Sequence, residues 1–363
     1  FVYPENIDVS TKNLVELDLA AALDEEDWQR RITQAFGGEE LKFDVIIGNP
    51  PYQEMDGGGM GTSAMPLYHH FVDHAKKLNP KLLSFIIPAR WYSGGKGLHA
   101  FRDEMLNDKR IRELHDFFDA TDCFPDIDIS GGVCYFLWDR DYDGDCRVVT
   151  YRSGVKNELT RPLRTKGSDV FIRFNEAVSI FHKVQSSNFE SFANKVSARR
   201  PFGIDSSVEV EETGGPGFVK IYAYPRNGYV SIDHVIRGHD WLPKYKVLLS
   251  KAYGERGAFP YLVTAKPFIG EPNSCCSETY LVVHASDSRQ ECENVISYMT
   301  TRFFRFLVLL KKNTQNTSRN VYSFVPVVDF SEPWTDDKLY SKYALTDEEI
   351  EFIESMVRPM VLE

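Results

Sequence analysis

The sequence has no long apolar run. Arg305 interrupts its longest apolar stretch near the carboxyl end, Phe303 to Leu310, so no membrane-spanning helix is expected. No signal peptide is visible. The six cysteines (Cys123, Cys134, Cys146, Cys275, Cys276 and Cys292) lack the paired spacing of a zinc site, which makes reduced thiols in a cytoplasm the expected state. His70 and His74 stand one helical turn apart, but no glutamate lies between them and no third ligand is evident. They read as a helix-surface pair rather than a metal site. Acidic residues are missing from two windows. None falls between Asn294 and Val328, where Arg302, Arg305, Lys311, Lys312 and Arg319 lie, and none from Trp241 to Gly254, which holds Lys244, Lys246 and Lys251. A net charge of −11 therefore does not exclude nucleic acid, because the acids gather in the first forty residues and after Asp329. Acid-free cationic segments suit phosphate contacts, and a solvated basic face is the bland alternative.

What is present is most informative at Phe43-Asp44-Val45-Ile46-Ile47-Gly48-Asn49-Pro50-Pro51-Tyr52. Three consecutive β-branched residues read as a short buried strand, and two prolines stop it abruptly. The loop gathers the Asn49 amide oxygen, the Pro50 carbonyl and the Tyr52 ring at the carboxyl end of a strand, where open α/β sheets bind ligands. Two uncharged acceptors side by side suit an amino group, and a phenol ring offers a flat face for a planar one.

These residues resemble the Asn-Pro-Pro-Tyr motif of the N6-adenine DNA methyltransferases of type II and type IIG restriction-modification systems. The resemblance implies that an adenine flipped from the duplex stacks on Tyr52, while Asn49 and Pro50 hold its exocyclic amine. Asn49, Pro50, Pro51 and Tyr52 are then the catalytic loop. Asparagine rather than serine at the first position implies adenine rather than cytosine.

At 363 residues the chain has room for two domains. Helical patterns cover Ser10 to Ala21, Glu25 to Phe36, Leu67 to Leu78 and His99 to Leu106. Strand patterns cover Phe43–Ile47, Leu82–Ile87, Leu114–Phe118 and Val133–Trp138. This alternation is the signature of a doubly wound domain. The glycine run Asp56 to Ser63 follows the loop instead of a strand, so it reads as a flap beside the pocket rather than a phosphate cradle. From about Gly167 strands mix with one long amphipathic stretch, Cys292 to Leu310, and a helix at Thr346–Met356 capped by Thr346 closes the chain. The expected fold is α/β: a truncated doubly wound S-adenosylmethionine-dependent methyltransferase domain followed by an α+β target-recognition domain. The expected boundaries are 1–160 for the catalytic part, 161–330 for target recognition and 331–363 for an acidic helical tail.

The resemblance extends past the loop. It implies that Phe124 sandwiches the base opposite Tyr52, that Phe71 touches the cofactor adenine and that Asp8 binds the cofactor ribose. A core phenylalanine and a plain Asx cap are the bland readings of Phe124 and Asp8. The family also needs an acidic-Pro-x-x-Gly-x-Gly loop before its Asn-Pro-Pro-Tyr, and none precedes Asn49. The expectation is a fragment lacking the amino-terminal third of its domain, inactive by itself. Expected partners are double-stranded DNA and a cognate restriction endonuclease, with Lys244, Lys246, Lys251, Arg302, Arg305, Lys311, Lys312 and Arg319 as the phosphate-contacting set. The rival readings are a bifunctional endonuclease-methylase, a non-enzymatic DNA-specificity module, and methylation of a protein glutamine or of RNA.

Overall fold

The computed structural model describes residues 25–35, 43–53, 65–125, 127, 129–186, 189–255 and 259–362. Asp8, the Ser10 helix and the Asp56–Ser63 glycine run lie outside them. The chain has a mixed α/β fold and divides into two compact units that part between Phe171 and Ile172.

The first unit is built on a six-stranded sheet of β1 (Val45–Gly48), β2 (Leu82–Pro88), β3 (Ile111–Phe117), β4 (Val133–Asp139), β5 (Cys146–Arg152) and β6 (Val155–Arg161), in the order β1-β2-β4-β3-β5-β6. Only the β1–β2 and β3–β5 pairs are parallel. Strand β4 runs antiparallel to both β2 and β3, so the sheet is mixed rather than uniformly wound. Alternation along the strands places Leu83, Phe85, Ile87, Leu114, Cys134, Phe136, Trp138 and Val148 on one face. They form one core with Tyr68, Val72 and Ala75 of helix α2 (Tyr68–Lys77) and with Phe101, Met105 and Leu106 of helix α3 (His99–Asn107). Helix α1 (Glu25–Ala35) meets α2 where Trp28 stacks on His74, ring centres 5.2 Å apart.

Strand β1 departs from expectation. Ile46 packs on the core, but Val45 is 55% and Ile47 75% exposed. Among the described residues β1 is the edge of its sheet. Three apolar residues in a row reveal strand propensity, but the neighbours that bury them are set by chain topology.

The first unit also runs past residue 160. Strand β6 spans that point, Leu163 and Phe171 join the first core, and the Arg161 guanidinium lies 4.8 Å from the centre of the Phe171 ring.

The second unit contains two three-stranded sheets. One is β10-β9-β12, from β9 (Tyr245–Ser250), β10 (Phe268–Gly270) and β12 (Tyr280–Ser286). The other is β11-β7-β8, from β7 (Phe218–Tyr222), β8 (Gly228–Ser231) and β11 (Ser274–Cys276). Ile221, Tyr222, Leu248, Cys275, Cys276 and Val282 share its core. The remaining helices are α4 (Ala177–Ser186), α5 (Arg289–Thr300), α6 (Arg302–Leu309), α7 (Asp336–Lys342) and α8 (Asp347–Met356).

The long amphipathic stretch Cys292 to Leu310 falls in two helices, α5 and α6. Thr301 leaves helical geometry at ψ 149° and its hydroxyl accepts the Phe304 amide, capping α6. The tail is not a separate element either. The Asp336 carboxylate accepts the Arg302 and Phe303 amides at 3.0 and 2.9 Å, and Tyr343 stacks on Phe303 with centres 5.0 Å apart. Helix α8 starts with the expected cap, in which Thr346 and Glu349 bond reciprocally to each other's backbone.

Candidate functional site

Strands β1 and β2 run parallel, so their carboxyl ends, Gly48 and Pro88, finish at one rim of the sheet. Antiparallel β4 enters at that rim from the opposite sense, bringing the loop before Val133 to the same place. The Gly132 carbonyl accepts the Ala89 amide at 3.0 Å and ties this loop to the segment after β2. Gly132 has φ +80°, and a Cβ there would lie 2.0 Å from the Phe117 carbonyl oxygen, so only glycine fits.

The Asn-Pro-Pro-Tyr loop is clamped at its far end. The Tyr52 carbonyl accepts the Leu67 amide at 3.1 Å, and Gln53 bridges antiparallel to Pro66. These contacts tie the loop after β1 to the start of α2.

A cavity of about 600 Å³ opens at this rim, within the usual size of small-ligand pockets. Asn49, Pro50, Pro51, Tyr52 and Gln53 line one side, Pro88 and Arg90 another, with Pro66, Tyr68, Ile129 and Ser130 completing it. Asn49 is exposed, Pro50 is buried and Tyr52 is half-buried. Among the described residues the Pro50 carbonyl accepts no hydrogen bond, and the Asn49 carboxamide has only the Tyr52 phenol beside it. Burial pushes the Tyr52 phenol up to about 12, helped by the nearby Cys134 and Cys123 thiols and partly offset by Asn49. At neutral pH it is an uncharged ring, suited to stacking rather than proton transfer.

The structure brings together Asn49, Pro50, Pro51 and Tyr52, but not every other residue singled out in the sequence. Phe124 is half-buried in the turn after β3, its amide donating to the Ala120 carbonyl at 2.8 Å, and it is not among the cavity-lining residues. Ile129 and Ser130 line that side instead. Phe71 is half-buried against the first core. Tyr68, Pro88 and Arg90 were not assigned to the site from sequence. Pro88 and Arg90 are signalled in the sequence by a proline-terminated strand and Tyr68 by the start of a helical pattern, but the adjacency of these elements to β1 is a tertiary fact.

Half of the phosphate-contacting set is withdrawn. Lys246 is fully buried, and its ammonium donates to the carbonyls of Trp241, Leu242, Lys244 and Glu271 at 2.6 to 3.3 Å. Burial lowers it to about 8. Arg305 is also fully buried and donates to the carbonyls of Thr300, Thr301, Leu262 and Arg358 at 2.9 to 3.1 Å. Lys311 is buried, bonded to the Ser323 hydroxyl at 2.6 Å, and Lys312 donates to the Tyr253 and Val263 carbonyls at 2.6 and 2.7 Å. These segments lack acids because backbone carbonyls are the partners of their cations. Arg302 pairs with Glu354, and exposed Arg319 donates to the Ala193 carbonyl at 2.7 Å. Lys244 and Lys251 are half-exposed, with no side-chain partner among the described residues.

No group of three His, Cys, Asp or Glu among the described residues is arranged to hold a metal. His74 is buried against Trp28 instead of lying on the helix surface with His70 as the sequence reading has it.

Residues 3–124 match the Eco57I restriction-modification methylase family, Asn49–Tyr52 included. An "uncharacterized adenine-specific methylase" of Mycoplasma pneumoniae is 34% identical over 191 residues, 50% of this chain and 45% of that protein. The chain thus spans less than half the length of this curated relative. Among solved structures, the type IIG restriction endonuclease BpuSI aligns over 96% of this chain and 49% of its own, at 12% identity and TM-score 0.35. A nuclease-deletion mutant of the type ISP restriction-modification enzyme LlaGI aligns over 85% and 42%, at 9% identity and TM-score 0.40.

Proposed function

We propose that this chain is part of a site-specific adenine DNA methyltransferase of a restriction-modification system, and that its first unit holds the exocyclic amine of an adenine flipped from the duplex. One observation carries the reading. Among the described residues two uncharged oxygens, on Asn49 and Pro50, accept no hydrogen bond beside the Tyr52 ring, in a cavity of about 600 Å³ at the carboxyl ends of parallel strands. The domain match to residues 3–124 and the adenine-specific relative support it.

An exocyclic amine of adenine is a poor nucleophile, because its lone pair is delocalised into the ring. Acceptors on both of its hydrogens favour a pyramidal nitrogen and stabilise the positive charge that develops on it. Asn49 and Pro50 supply those acceptors. No strong base is required, since the alkylated amine becomes acidic enough to lose its proton afterwards, and the neutral Tyr52 phenol is consistent with that. Extruding the base costs a few kcal/mol, which stacking on Tyr52 partly offsets. S-adenosylmethionine, when bound, supplies the electrophilic methyl group. Of the residues assigned to it by resemblance, Asp8 lies outside the described residues and Phe71 is packed half-buried against the core. The described residues therefore account for the base side of the reaction only.

The test is methyl transfer to duplex DNA by the full-length protein. Asn49→Ala is expected to lower the rate by about 100-fold or more, the scale of losing one transition-state hydrogen-bond partner, while DNA affinity is retained. Undiminished methyl transfer by this variant removes the assignment.

A further inference from the structure

Arg90 and Tyr68 line the cavity and are not used by the reaction just described. Arg90 follows β2 directly, in the short turn Ala89–Ser93, and so stands at the rim where Asn49 ends β1. Among the described residues its half-buried guanidinium makes no hydrogen bond and no ion pair. Neighbouring arginines of this unit are occupied. Arg102 holds the Ser93 carbonyl and the Asp103 carboxylate, and Arg164 holds Asn107 and Asp103. Tyr68 lines the same cavity, is only 1% exposed, and its hydroxyl has no hydrogen-bond partner among the described residues. Arg90 is close enough for its charge to act on that phenol. The Trp91 amide also lies near the phenol oxygen, but an N–H can only donate, so the phenol's own proton still lacks an acceptor.

A buried donor without an acceptor costs about 1–3 kcal/mol and calls for an explanation. The cavity thus carries two kinds of wall. Asn49 and Pro50 offer acceptors and call for a donor such as an amine. Arg90 and Tyr68 offer donors, one of them cationic, and call for an anionic oxygen. A nucleotide carries both on one molecule, its base amine and its phosphate separated by one sugar.

Resting on the nucleobase reading above, we propose that Arg90 and Tyr68 form a phosphate subsite of this cavity, gripping the phosphate of the same nucleotide whose base faces Asn49. Arg90 anchors the extruded nucleotide by its backbone, and Tyr68 donates to the same phosphate group. A guanidinium suits this role because its planar fork matches phosphate oxygens.

The experiment titrates this chain with adenosine, adenosine 5′-monophosphate and S-adenosylhomocysteine, read by tryptophan fluorescence, with Trp91 next to Arg90 as reporter. The monophosphate is expected to bind about tenfold tighter than adenosine, an advantage that shrinks with added salt. Arg90→Gln should reduce the monophosphate to the affinity of adenosine and leave adenosine itself unchanged. Arg90→Lys should keep part of the advantage, and Tyr68→Phe should lower it about threefold, the scale of one neutral hydrogen bond. Equal affinity for adenosine and its monophosphate in the unmodified chain overturns the subsite while leaving the base pocket standing. So does an Arg90→Gln loss confined to S-adenosylhomocysteine, which would assign the guanidinium to a carboxylate. Binding of the monophosphate without adenosine, abolished by Arg90→Gln, would keep the subsite and remove the base pocket. A cavity inert to all three ligands removes both.

Discussion

The Asn49–Tyr52 loop and the acid-free segments 241–254 and 294–328 are both rich in polar groups without nearby opposite charge, and the fold treats them in opposite ways. In the loop, the Asn49 carboxamide and the Pro50 carbonyl remain open at a cavity. In the segments, Lys246, Arg305, Lys311 and Lys312 are consumed by carbonyls and hydroxyls of their own unit. An uncompensated polar group is informative about function only after the structure has shown that nothing in the protein compensates it.

The largest effect that would break this comparison is on stability. Arg305→Ala takes the buried guanidinium away from four backbone carbonyls and is expected to destabilise the chain by about 3 kcal/mol or more, whereas Asn49→Ala should change it by about 0.5 kcal/mol or less. Urea unfolding of the two variants measures this. A loss at Asn49 as large as that at Arg305 would mean that the loop is structural.

A second experiment sharpens the contrast with a satisfied group in the first unit. The Asp108 carboxylate, nearly buried, accepts from the Trp138 indole at 3.0 Å and Arg110 at 2.7 Å and pairs with Lys76 at 3.1 Å. Burial by itself would raise it, but Arg110 and Lys76 hold it down to about 2. A carboxyl lower in the folded than in the unfolded chain stabilises above the unfolded value, near 3.8. That stabilisation is lost as pH falls toward 2. It amounts to about 2 kcal/mol. Acid unfolding followed by tryptophan fluorescence should show it, and Asp108→Asn should flatten the dependence across that window. An unchanged acid midpoint would show that the network is not what holds the carboxyl down.

The smallest effect concerns the two lysines the fold leaves available. Lys244→Ala and Lys251→Ala should each leave stability within about 0.5 kcal/mol. In the full-length protein each should lower the salt dependence of DNA binding by about one phosphate contact. Salt slopes that do not move would return these lysines to a plain solvated face.

Much of the first unit was legible because its signals are local. Strands β1 to β4 and helices α1 to α3 follow from apolar period and stop signals, as does the Thr346 cap of α8. Strands β5 and β6 lie beyond the strand patterns read from the sequence, and the sheet continues through them. The break at Thr301 was hidden by apolar residues on both sides, where a capping hydroxyl outweighs the continuous pattern.

By itself the sequence determined the chemistry of the loop, since Asn49, two prolines and Tyr52 dictate a stiff, uncharged acceptor pair beside a ring whatever surrounds them. It also determined which windows lack acids. Only the tertiary structure decided that β1 is an edge among the described residues, that Arg90 and Tyr68 share the cavity with Asn49, and that Lys246 and Arg305 are interior cations. Those outcomes depend on which distant backbone carbonyls and strands approach each residue, and long-range proximity is not carried by composition or period.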